Sequence, residues 1–217
     1  MSSSRRERTR ARILDAANRL LLARGYHGVG LEAVAQAAGV TRQTVYDQFG
    51  SKSGLLGAMI ARQEEQAGLP QLLPSVVRQI DGMGMLRAML DVVAAVEPLV
   101  YPYSRIVYAA RLDDPVAAEM WQARMTSRRG GMGIVFARLA SDGRLLKGIG
   151  AEEAAEIAWA LASPHHYEYL VVERGWSIER YREHLERTIT SRLLKPAHSV
   201  AQEPDALRPR RGPTRPT

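Results

Sequence analysis

Apolar residues recur at intervals of three and four along most of this chain of 217 residues, and no alternation typical of a β-strand extends for any length. The spacing predicts an all-α protein of about nine helices. The first helix is predicted to run from Thr9 to Arg24, with Gly25 at its end. The side chains on its buried stripe are Ile13, Ala17, Leu20 and Leu21.

The segment from Leu31 to Lys52 predicts two short helices joined by a tight turn. Gly39 lies where the first of them ends, a position at which a positive φ carries no steric penalty for glycine. Thr41 is a good N-cap for the second, because its hydroxyl can accept a hydrogen bond from a free amide in the next turn. The residues predicted to face the core are Val34, Ala35, Ala38, Val45 and Phe49. This layout is typical of a helix-turn-helix, whose second helix lies in the DNA major groove.

The outer face of the second helix carries side chains suited to DNA. Arginine can bridge O6 and N7 of guanine, glutamine can bridge N6 and N7 of adenine, and hydroxyl groups suit phosphates. The predicted contacts on this helix are Thr41, Arg42, Gln43, Thr44, Tyr46 and Gln48. Among them, Arg42 and Gln43 are the expected base readers, while Thr44 and Tyr46 are expected to hold phosphates. The alternative is an ordinary helical hairpin whose polar face meets only solvent.

The block from Ile13 to Leu56 resembles the N-terminal domain of TetR-family transcriptional regulators. The residues that carry the resemblance are ILDAANRLLLARGY and TVYDQFGSKSGLL. Nearer the C-terminus, SPHHYEYLVVERGWSIERYREHL is similar to the last two helices of many members. The resemblance implies a homodimer with a three-helix DNA-binding domain and a larger helical domain for ligand binding and dimerisation. It also implies that Lys52 contacts a phosphate, whereas Gln48 stands where the family often has histidine.

The positive charge of the chain lies at its two ends. Residues 1–66 hold ten basic and six acidic side chains, residues 67–194 hold fifteen of each, and residues 195–217 hold five basic and two acidic. Because phosphate contacts release counterions from DNA, a basic N-terminal region agrees with DNA binding. The basic residues at the start of the chain are Arg5, Arg6, Arg8, Arg10 and Arg12. They form either an arm that reaches a minor groove or the DNA backbone, or a solvated disordered tail.

Composition shifts divide the chain into four parts. We expect a basic disordered arm over residues 1–8, a helix-turn-helix domain with a connecting fourth helix over residues 9–66, a helical effector-binding and dimerisation domain over residues 67–195, and a disordered basic tail over residues 196–217. The residues that mark the boundary between the two folded domains are Gly68, Pro70 and Pro74.

Further breaks are predicted within the larger domain. Residues 81–84, which include two glycines, are expected to interrupt the helical pattern. Pro98 and Pro102 are expected to bracket a short connection, because proline lacks a backbone donor. Asp114-Pro115 is a start signal for a long helix, and Ser163-Pro164 should kink the helix that contains it.

The last two helices, predicted at residues 152–174 and 177–194, are the expected dimer interface. The final helix has a single apolar stripe that contains Ile178, Tyr181, Leu185, Ile189 and Leu193. The helix before it is apolar on more than one side, so it must be covered on more than one side. Paired with a second copy, the two helices would form a four-helix bundle, and two reading heads suit a palindromic operator. The alternative is that these helices complete the core of a monomer.

Aromatic and methionine side chains concentrate between residues 101 and 181, and such side chains line many small-molecule pockets. The candidates for contact with an unknown effector are Tyr103, Trp121, Met125, Trp159, His166 and Tyr169. His166 adds a titratable ring that could hydrogen-bond an effector, lie in solvent or lie across the dimer interface. Ordinary core or interface packing is the alternative for each candidate.

Several protein classes are disfavoured by the sequence. The lack of cysteine excludes a disulfide framework, a thiolate metal site and a cysteine nucleophile. His165 and His166 would point about 100° apart on a helix, which makes a poor chelate. No catalytic triad order, P-loop or glycine-rich dinucleotide turn is present, so neither cofactor nor metal is expected. No apolar run approaches the roughly 20 residues that span a bilayer, and no signal-peptide core follows the N-terminus, so a cytoplasmic protein without a membrane partner is expected.

These features predict a ligand-responsive, sequence-specific transcriptional regulator, expected to be a repressor that a small molecule releases from its operator. A second hypothesis is an effector-independent dimeric protein that binds DNA as an architectural element. A third is a helical enzyme that has acquired the motif. Release from one operator by a small molecule would favour the first hypothesis, indifference to every compound the second, and turnover by the C-terminal domain alone the third.

Overall fold

The computed structural model describes residues 2–196, which form ten α-helices and no strand. The prediction of an all-α protein with about nine helices is confirmed. The helices are α1 (Ser2–Arg24), α2 (Leu31–Ala38), α3 (Arg42–Phe49), α4 (Lys52–Gln66), α5 (Leu69–Val77), α6 (Gly82–Ala110), α7 (Pro115–Ser141), α8 (Ala151–Leu161), α9 (Pro164–Tyr167) and α10 (Ile178–Leu193). A π-helical segment, Glu168–Glu173, continues α9.

Helices α1 to α4 form an N-terminal head around a small apolar core. Gly39 ends α2 with a φ of 63°, and Thr41 caps α3 by accepting a hydrogen bond from the amide of Thr44 at 3.1 Å. Both features agree with the prediction for this turn. The side chains at the centre of the head are Ile13, Leu21, Val34, Val45, Leu55 and Leu56.

The predicted disordered arm over residues 1–8 is wrong for residues 2–8, which are the first two turns of α1. Arginine and glutamate have high helix propensity, and this stretch contains no residue that breaks a helix. In addition, the guanidinium of Arg8 donates a hydrogen bond to the hydroxyl of Ser4, one turn earlier, at 3.1 Å. The basic side chains therefore project from a helix and not from an irregular arm.

The predicted break at residues 68–74 is confined to Gly68, which has a φ of 75° after α4. Pro70 and Pro74 lie within α5, although both were expected to disrupt helical structure. Proline is tolerated in the first turn of a helix, where the amide would have no helical partner, and this accounts for Pro70. Pro74 lies one turn further on, in a short helix whose residue Val76 is buried against the rest of the fold.

The longest helix, α6, runs through the centre of the C-terminal body and contacts α4, α5, α7 and α10. Pro98 and Pro102 lie inside it, so the predicted connection between them is wrong. Burial of α6 against four other helices outweighs the loss of two backbone hydrogen bonds, because tertiary packing supplies most helical stability in proteins. Asp81 caps α6 at residues 81–84, where an interruption was predicted, by accepting from the amide of Gly84 at 2.7 Å.

Helix α7 begins at Asp114-Pro115, as predicted, and continues for 27 residues despite three glycines in its second half. The helix predicted at 152–174 is broken in two, because α8 ends at Leu161 and Ser163 caps α9. The proline after Ser163 occupies the first position of the new helix, where it needs no hydrogen-bond partner. The predicted kink at Ser163-Pro164 is therefore present as a full break.

The apolar stripe of α10 packs inside the protomer, mainly against α6. Tyr181, Leu185 and Ile189 have no exposed surface, and Leu193 is also buried. This stripe thus completes the core of one chain, which is the alternative considered for the last helices.

The predicted disordered tail at 196–217 lies outside the described residues except for Pro196. Just before it, the amide of Lys195 donates to the carbonyl oxygen of Arg144 at 2.8 Å, so the chain is attached to the loop after α7. Within residues 2–196, none of the helices combines the length and the apolar character needed to cross a membrane.

Candidate nucleic-acid interface and ligand cavity

The outer face of α3 is formed by polar side chains, as the sequence predicted. Arg42, Gln43 and Tyr46 are exposed, and 58% of the Tyr46 surface is accessible. The side-chain amide of Gln43 donates to the carboxylate of Asp47 at 2.6 Å, one turn further along. Val45 anchors the opposite face of the helix in the core with no exposed surface. The helix can therefore present three side chains to a groove without losing its own packing.

Of the remaining predicted contacts, Thr41 is exposed at the N-cap of α3, whereas Thr44 and Gln48 are half-buried. The hydroxyl groups of Thr41 and Thr44 lie 2.8 Å apart and belong to the cap of the helix. Gln48 is half-buried, and its side-chain oxygen is buried without a hydrogen-bond partner. Thr41 and Thr44 thus have a structural reason to be present apart from any DNA contact. The buried oxygen distinguishes Gln48 from the exposed side chains of the same helix.

Lys52 lies in the first turn of α4, where the helix dipole disfavours a cation. Its ammonium donates to the carbonyl oxygens of Tyr26 at 2.7 Å and Val29 at 3.0 Å. The same ammonium lies 3.9 Å from the centre of the Tyr26 ring. Burial lowers the pKa of this group, and the nearby carboxylate of Asp114 partly opposes the shift. These contacts within the chain explain why a lysine is stable at this position. Its contact with a DNA phosphate stays a prediction.

Two arginines of α1 bind the helix-turn-helix directly. Arg12 donates to the carbonyl oxygens of Ala38 at 3.2 Å and Gly39 at 3.0 Å, which are unpaired acceptors at the end of α2. The guanidinium of Arg10 lies over the ring of Phe49, 4.6 Å from its centre. Apart from the positive charge, no local pattern predicts these contacts, because they join residues 26 to 39 positions apart.

A hydrogen-bond network joins the head to the body. The carboxylate of Asp114, the N-cap of α7, accepts from the Ser53 hydroxyl at 2.6 Å and from the Tyr26 hydroxyl. Ser53 is buried on α4, and Tyr26 closes the turn after α1. Burial and the hydrogen bond to Asp114 raise the pKa of Tyr26 to about 12. The network gives α7 a direct contact with the first turn of α4.

A cavity of about 410 Å³ lies between α4, α5, α6, α7 and α8, which is in the range of sites for small molecules. Its apolar wall contains Leu69, Leu73, Met89, Val92, Val93, Val96, Met132 and Trp159. Its polar wall contains Glu64, Arg124, Ser127 and Arg128. Mostly apolar lining with a few polar groups is what small-molecule sites usually have.

Two ion pairs flank this cavity. Arg124 of α7 lies 2.7 Å from the carboxylate of Glu64 on α4. Arg128, one turn along α7, lies 3.0 Å from the carboxylate of Glu97 on α6. It also donates to the carbonyl oxygen of Ala162 at 2.7 Å. The cavity is therefore bounded on one side by α4, the helix that leads to the N-terminal head.

Comparison with known proteins decides the family. A family model described as bacterial regulatory proteins of the tetR family matches residues 13–59. An uncharacterized HTH-type transcriptional regulator of Pseudomonas putida, TtgW, is 33% identical over 106 residues, which are 49% of this chain and 77% of TtgW. This chain belongs to the TetR family. Because the family consists of transcriptional regulators, the hypothesis of a helical enzyme is rejected.

Solved structures of this TetR-family fold cover most of the chain. NalD of Pseudomonas aeruginosa, the secondary repressor of the MexAB-OprM multidrug efflux pump, has a TM-score of 0.67 and 27% identity over 88% of this chain and 98% of NalD. The SmeT–triclosan complex has a TM-score of 0.70 and 23% identity over 87% of this chain and 93% of SmeT. Among other curated relatives, the chain spans only about a fifth to a half of their length.

Of the six effector contacts predicted in this TetR-family chain, Trp159 is the one that lines the cavity. The other five do not line this cavity, and their contact with an effector stays a prediction. Tyr103 is buried but donates to Asn18 of α1 at 2.5 Å, and Tyr169 is 60% exposed. His166 packs against His184 of α10, with ring centres 5.7 Å apart. Burial and His184 together lower the pKa of His166.

The two remaining candidates also lie outside the cavity. Trp121 packs edge-on against Tyr108, with ring centres 4.9 Å apart, and Met125 is half-buried on α7. The sequence signal that points to this cavity is the i, i+4 pair of arginines at 124 and 128 in the middle of a long helix. Two cations on one half-buried face need partners, because a buried charge is costly unless it is paired.

Proposed function

We propose that this TetR-family protein binds a palindromic operator as a homodimer and leaves it when a small molecule enters the cavity, so that it acts as a repressor. The observation that carries the proposal is that α4 belongs to both sites. Its first turn packs against the helix-turn-helix, whereas Glu64 in its last turn borders the cavity. A ligand that shifts α4 would change the position of α3.

Recognition of DNA is assigned to the exposed face of α3. Arg42 and Gln43 are proposed to read bases in the major groove, and Tyr46 is proposed to contact a phosphate. The exposed arginines in the first turns of α1 add positive charge beside this helix; they are Arg5, Arg6 and Arg8. Attraction of these groups to phosphates predicts affinity that falls steeply with salt.

Dimerisation is assigned to exposed apolar residues of the last helices, since the stripe of α10 is already covered. Ile157 and Leu161 lie one turn apart on α8, and Tyr169 and Val172 lie on the π-helical segment. Ile157, Tyr169 and Val172 are exposed, and Leu161 is half-buried. Large apolar groups in water favour association with a second copy. Two copies would supply the two reading heads that a palindrome requires.

A response to ligands is supported by the volume and lining of the cavity. SmeT, which shares the fold, forms a complex with triclosan. In this chain, the cavity lies beside the ion pair between Glu64 and Arg124, which joins α4 to α7. A molecule in the cavity would contact that pair and the apolar wall together.

The test begins with selection of genomic DNA fragments by the full chain, followed by fluorescence anisotropy with the selected operator. Binding is expected at one half-site spacing, with log Kd linear in log salt. The double variant Arg42→Ala/Gln43→Ala should lose preference for the operator over scrambled DNA. The matched variant Arg187→Ala/Gln122→Ala, exposed on the body, should keep it. A compound library is then screened for release of the operator. Equal affinity for all sequences, or an operator complex that no compound releases, would contradict the proposal and favour an architectural protein.

A further inference from the structure

The two arginines that line the cavity are held in different ways. Arg128 is bound twice within the body, to Glu97 of α6 at 3.0 Å and to the carbonyl oxygen of Ala162 at 2.7 Å. Because the Glu97 side chain is only 1% exposed, removal of its partner would leave a buried charge unpaired. Arg124 instead pairs with Glu64, whose side chain is 25% exposed. Water can solvate Glu64 if Arg124 leaves, so the outer pair is the exchangeable one.

Two buried donors on cavity-lining side chains have no acceptor. They are Nε of Arg124 and Nε1 of Trp159. A buried donor without an acceptor is unfavourable, so a group that supplies acceptors here gains affinity. The Ser127 hydroxyl also lines the cavity, and most of the remaining lining side chains are apolar. The preferred ligand therefore combines acceptor groups with an apolar body.

The balance of charge around the cavity distinguishes an anion from a cation. Arg124 and Arg128 are cationic, and Glu64 is the one acidic side chain among the residues that line the cavity. An arginine can bind a carboxylate through two parallel hydrogen bonds, which adds geometric specificity to the attraction. Because Glu97 already neutralises Arg128, Arg124 is the arginine that an anion can take, in exchange for Glu64, which water can solvate. The lining thus favours a single negative charge on the ligand.

We propose that the ligand is an amphipathic anion whose acidic group takes the Arg124 guanidinium from Glu64. Its apolar body lies against Val92, Val96 and Met132. Loss of the ion pair between Arg124 and Glu64, now 2.7 Å long, removes a contact between α7 and α4, while Arg128 stays in place. The inference rests on the proposed function, because it names the chemistry of the ligand that controls the operator complex.

The charge preference is tested with three probes of equal chain length, namely decanoate, 1-decanol and decyltrimethylammonium. Calorimetric titration of the full chain without DNA measures each Kd below the micellar range. Decanoate is expected to bind about tenfold more tightly than either of the others, a difference of about 1.4 kcal/mol. Equal affinity for decanol, tighter binding of the ammonium compound, or no binding of decanoate would each overturn the proposal.

Competition with Glu64 is tested with variants of the ion pair. Arg124→Gln should remove the preference for decanoate over decanol, whereas Arg129→Gln on the same helix, paired with Glu152 and Glu156 at the surface, should leave it unchanged. Glu64→Gln should increase the affinity for decanoate by about threefold to tenfold, because the carboxylate that competes for Arg124 is removed. A weaker complex in Glu64→Gln would show that Glu64 does not compete.

Failure of the inference is distinguishable from failure of the proposed function. The three probes report on the cavity alone, since no operator is present in the titration. If the chain prefers decanoate but binds no specific operator, the proposed ligand class is supported and the proposed regulatory function is rejected. If decanol and decanoate release the operator equally, the proposed regulatory function is supported and the preference for an anionic ligand is rejected.

Discussion

Asp114 accepts a hydrogen bond from the Ser53 hydroxyl at 2.6 Å, so the N-terminus of α7 is joined to the first turn of α4. The other oxygen of the same carboxylate accepts from the backbone amide of Val116 at 2.9 Å. One side chain therefore caps a helix of the body and binds the head. The contact spans 61 residues of sequence and connects the two regions that the proposed function requires to move together.

Replacement of Asp114 tests this double role. Asp114→Ala should lower the free energy of unfolding by about 1–3 kcal/mol, because the cap of α7 and the bonds from Ser53 and Tyr26 are lost together. Asp81→Ala is the matched variant, since Asp81 caps α6 without a contact to the head. Its loss should be about 1 kcal/mol. Denaturant unfolding measures both, and equal losses would mean that the bonds to the head contribute nothing.

The pH dependence of stability provides a separate prediction for Asp114. Burial alone would raise the pKa of this carboxyl, but the hydrogen bonds from Ser53 and Tyr26 outweigh it and lower the pKa. A carboxyl whose pKa is lower in the folded state stabilises the fold above its unfolded pKa, about 3.9, and this stabilisation is lost as the pH falls through the folded value. The stability difference between wild type and Asp114→Asn should therefore shrink below about pH 4. A difference that is constant on acidification would contradict the assignment.

Gln43 is expected to recognise one base pair of the operator. Gln43→Ala should weaken binding by about 1–3 kcal/mol at the operator position that Gln43 reads, and substitution of that base pair should then have little further effect. Anisotropy against a panel of single-base-pair operator variants measures this change. Gln122→Ala, on the exposed surface of α7, is the control. If Gln43→Ala instead reduces affinity equally for every operator, the side chain does not read a base.

Replacement of Lys52 distinguishes a structural role of this side chain from a contact with a DNA phosphate. Lys52→Gln replaces the ammonium that donates to the carbonyl oxygens of Tyr26 and Val29 with a shorter, neutral amide, and the head should lose about 1–3 kcal/mol of stability. If Lys52 also contacts a phosphate, the slope of log affinity against log salt should fall by about one unit. Lys147→Gln, an exposed lysine of the body, should change neither quantity. An unchanged slope with reduced stability would limit Lys52 to its intrachain contacts.

The head could be predicted from the sequence because its signals are local. Gly39 and Thr41 specify a turn and a cap within three residues, and the spacing of Val45 and Phe49 gives the inward face of α3. Arg12 shows where local reasoning ends, because its acceptors at the end of α2 lie 26 residues or more away. Its positive charge alone suggested DNA, whereas the structure assigns it to a helix terminus.

The cavity could not be predicted in the same way. Its polar wall depends on the pairing of Glu64 with Arg124, which are 60 positions apart and show no mutual signal in one sequence. Pro98 and Pro102 led to an erroneous break in α6, because local propensity takes no account of the helices that pack against it. Of the aromatic residues predicted as ligand contacts, Trp159 lines the cavity, whereas Tyr103 and Trp121 make contacts elsewhere in the fold.

The dimer interface gives the last prediction. Tyr169→Asp/Val172→Asp places two charges on the exposed apolar surface of the π-helical segment, and a charge buried between subunits without a partner is strongly unfavourable. Sedimentation velocity should therefore detect a monomer, and cooperative binding to a two-site operator should disappear. Ile80→Asp is the control, because Ile80 is 91% exposed in the connection between α5 and α6 and lies outside the proposed interface. Removal of residues 197–217 should also leave the dimer intact. A dimer that persists in the double variant would exclude this surface as the interface, and a monomer after truncation would assign assembly to the tail.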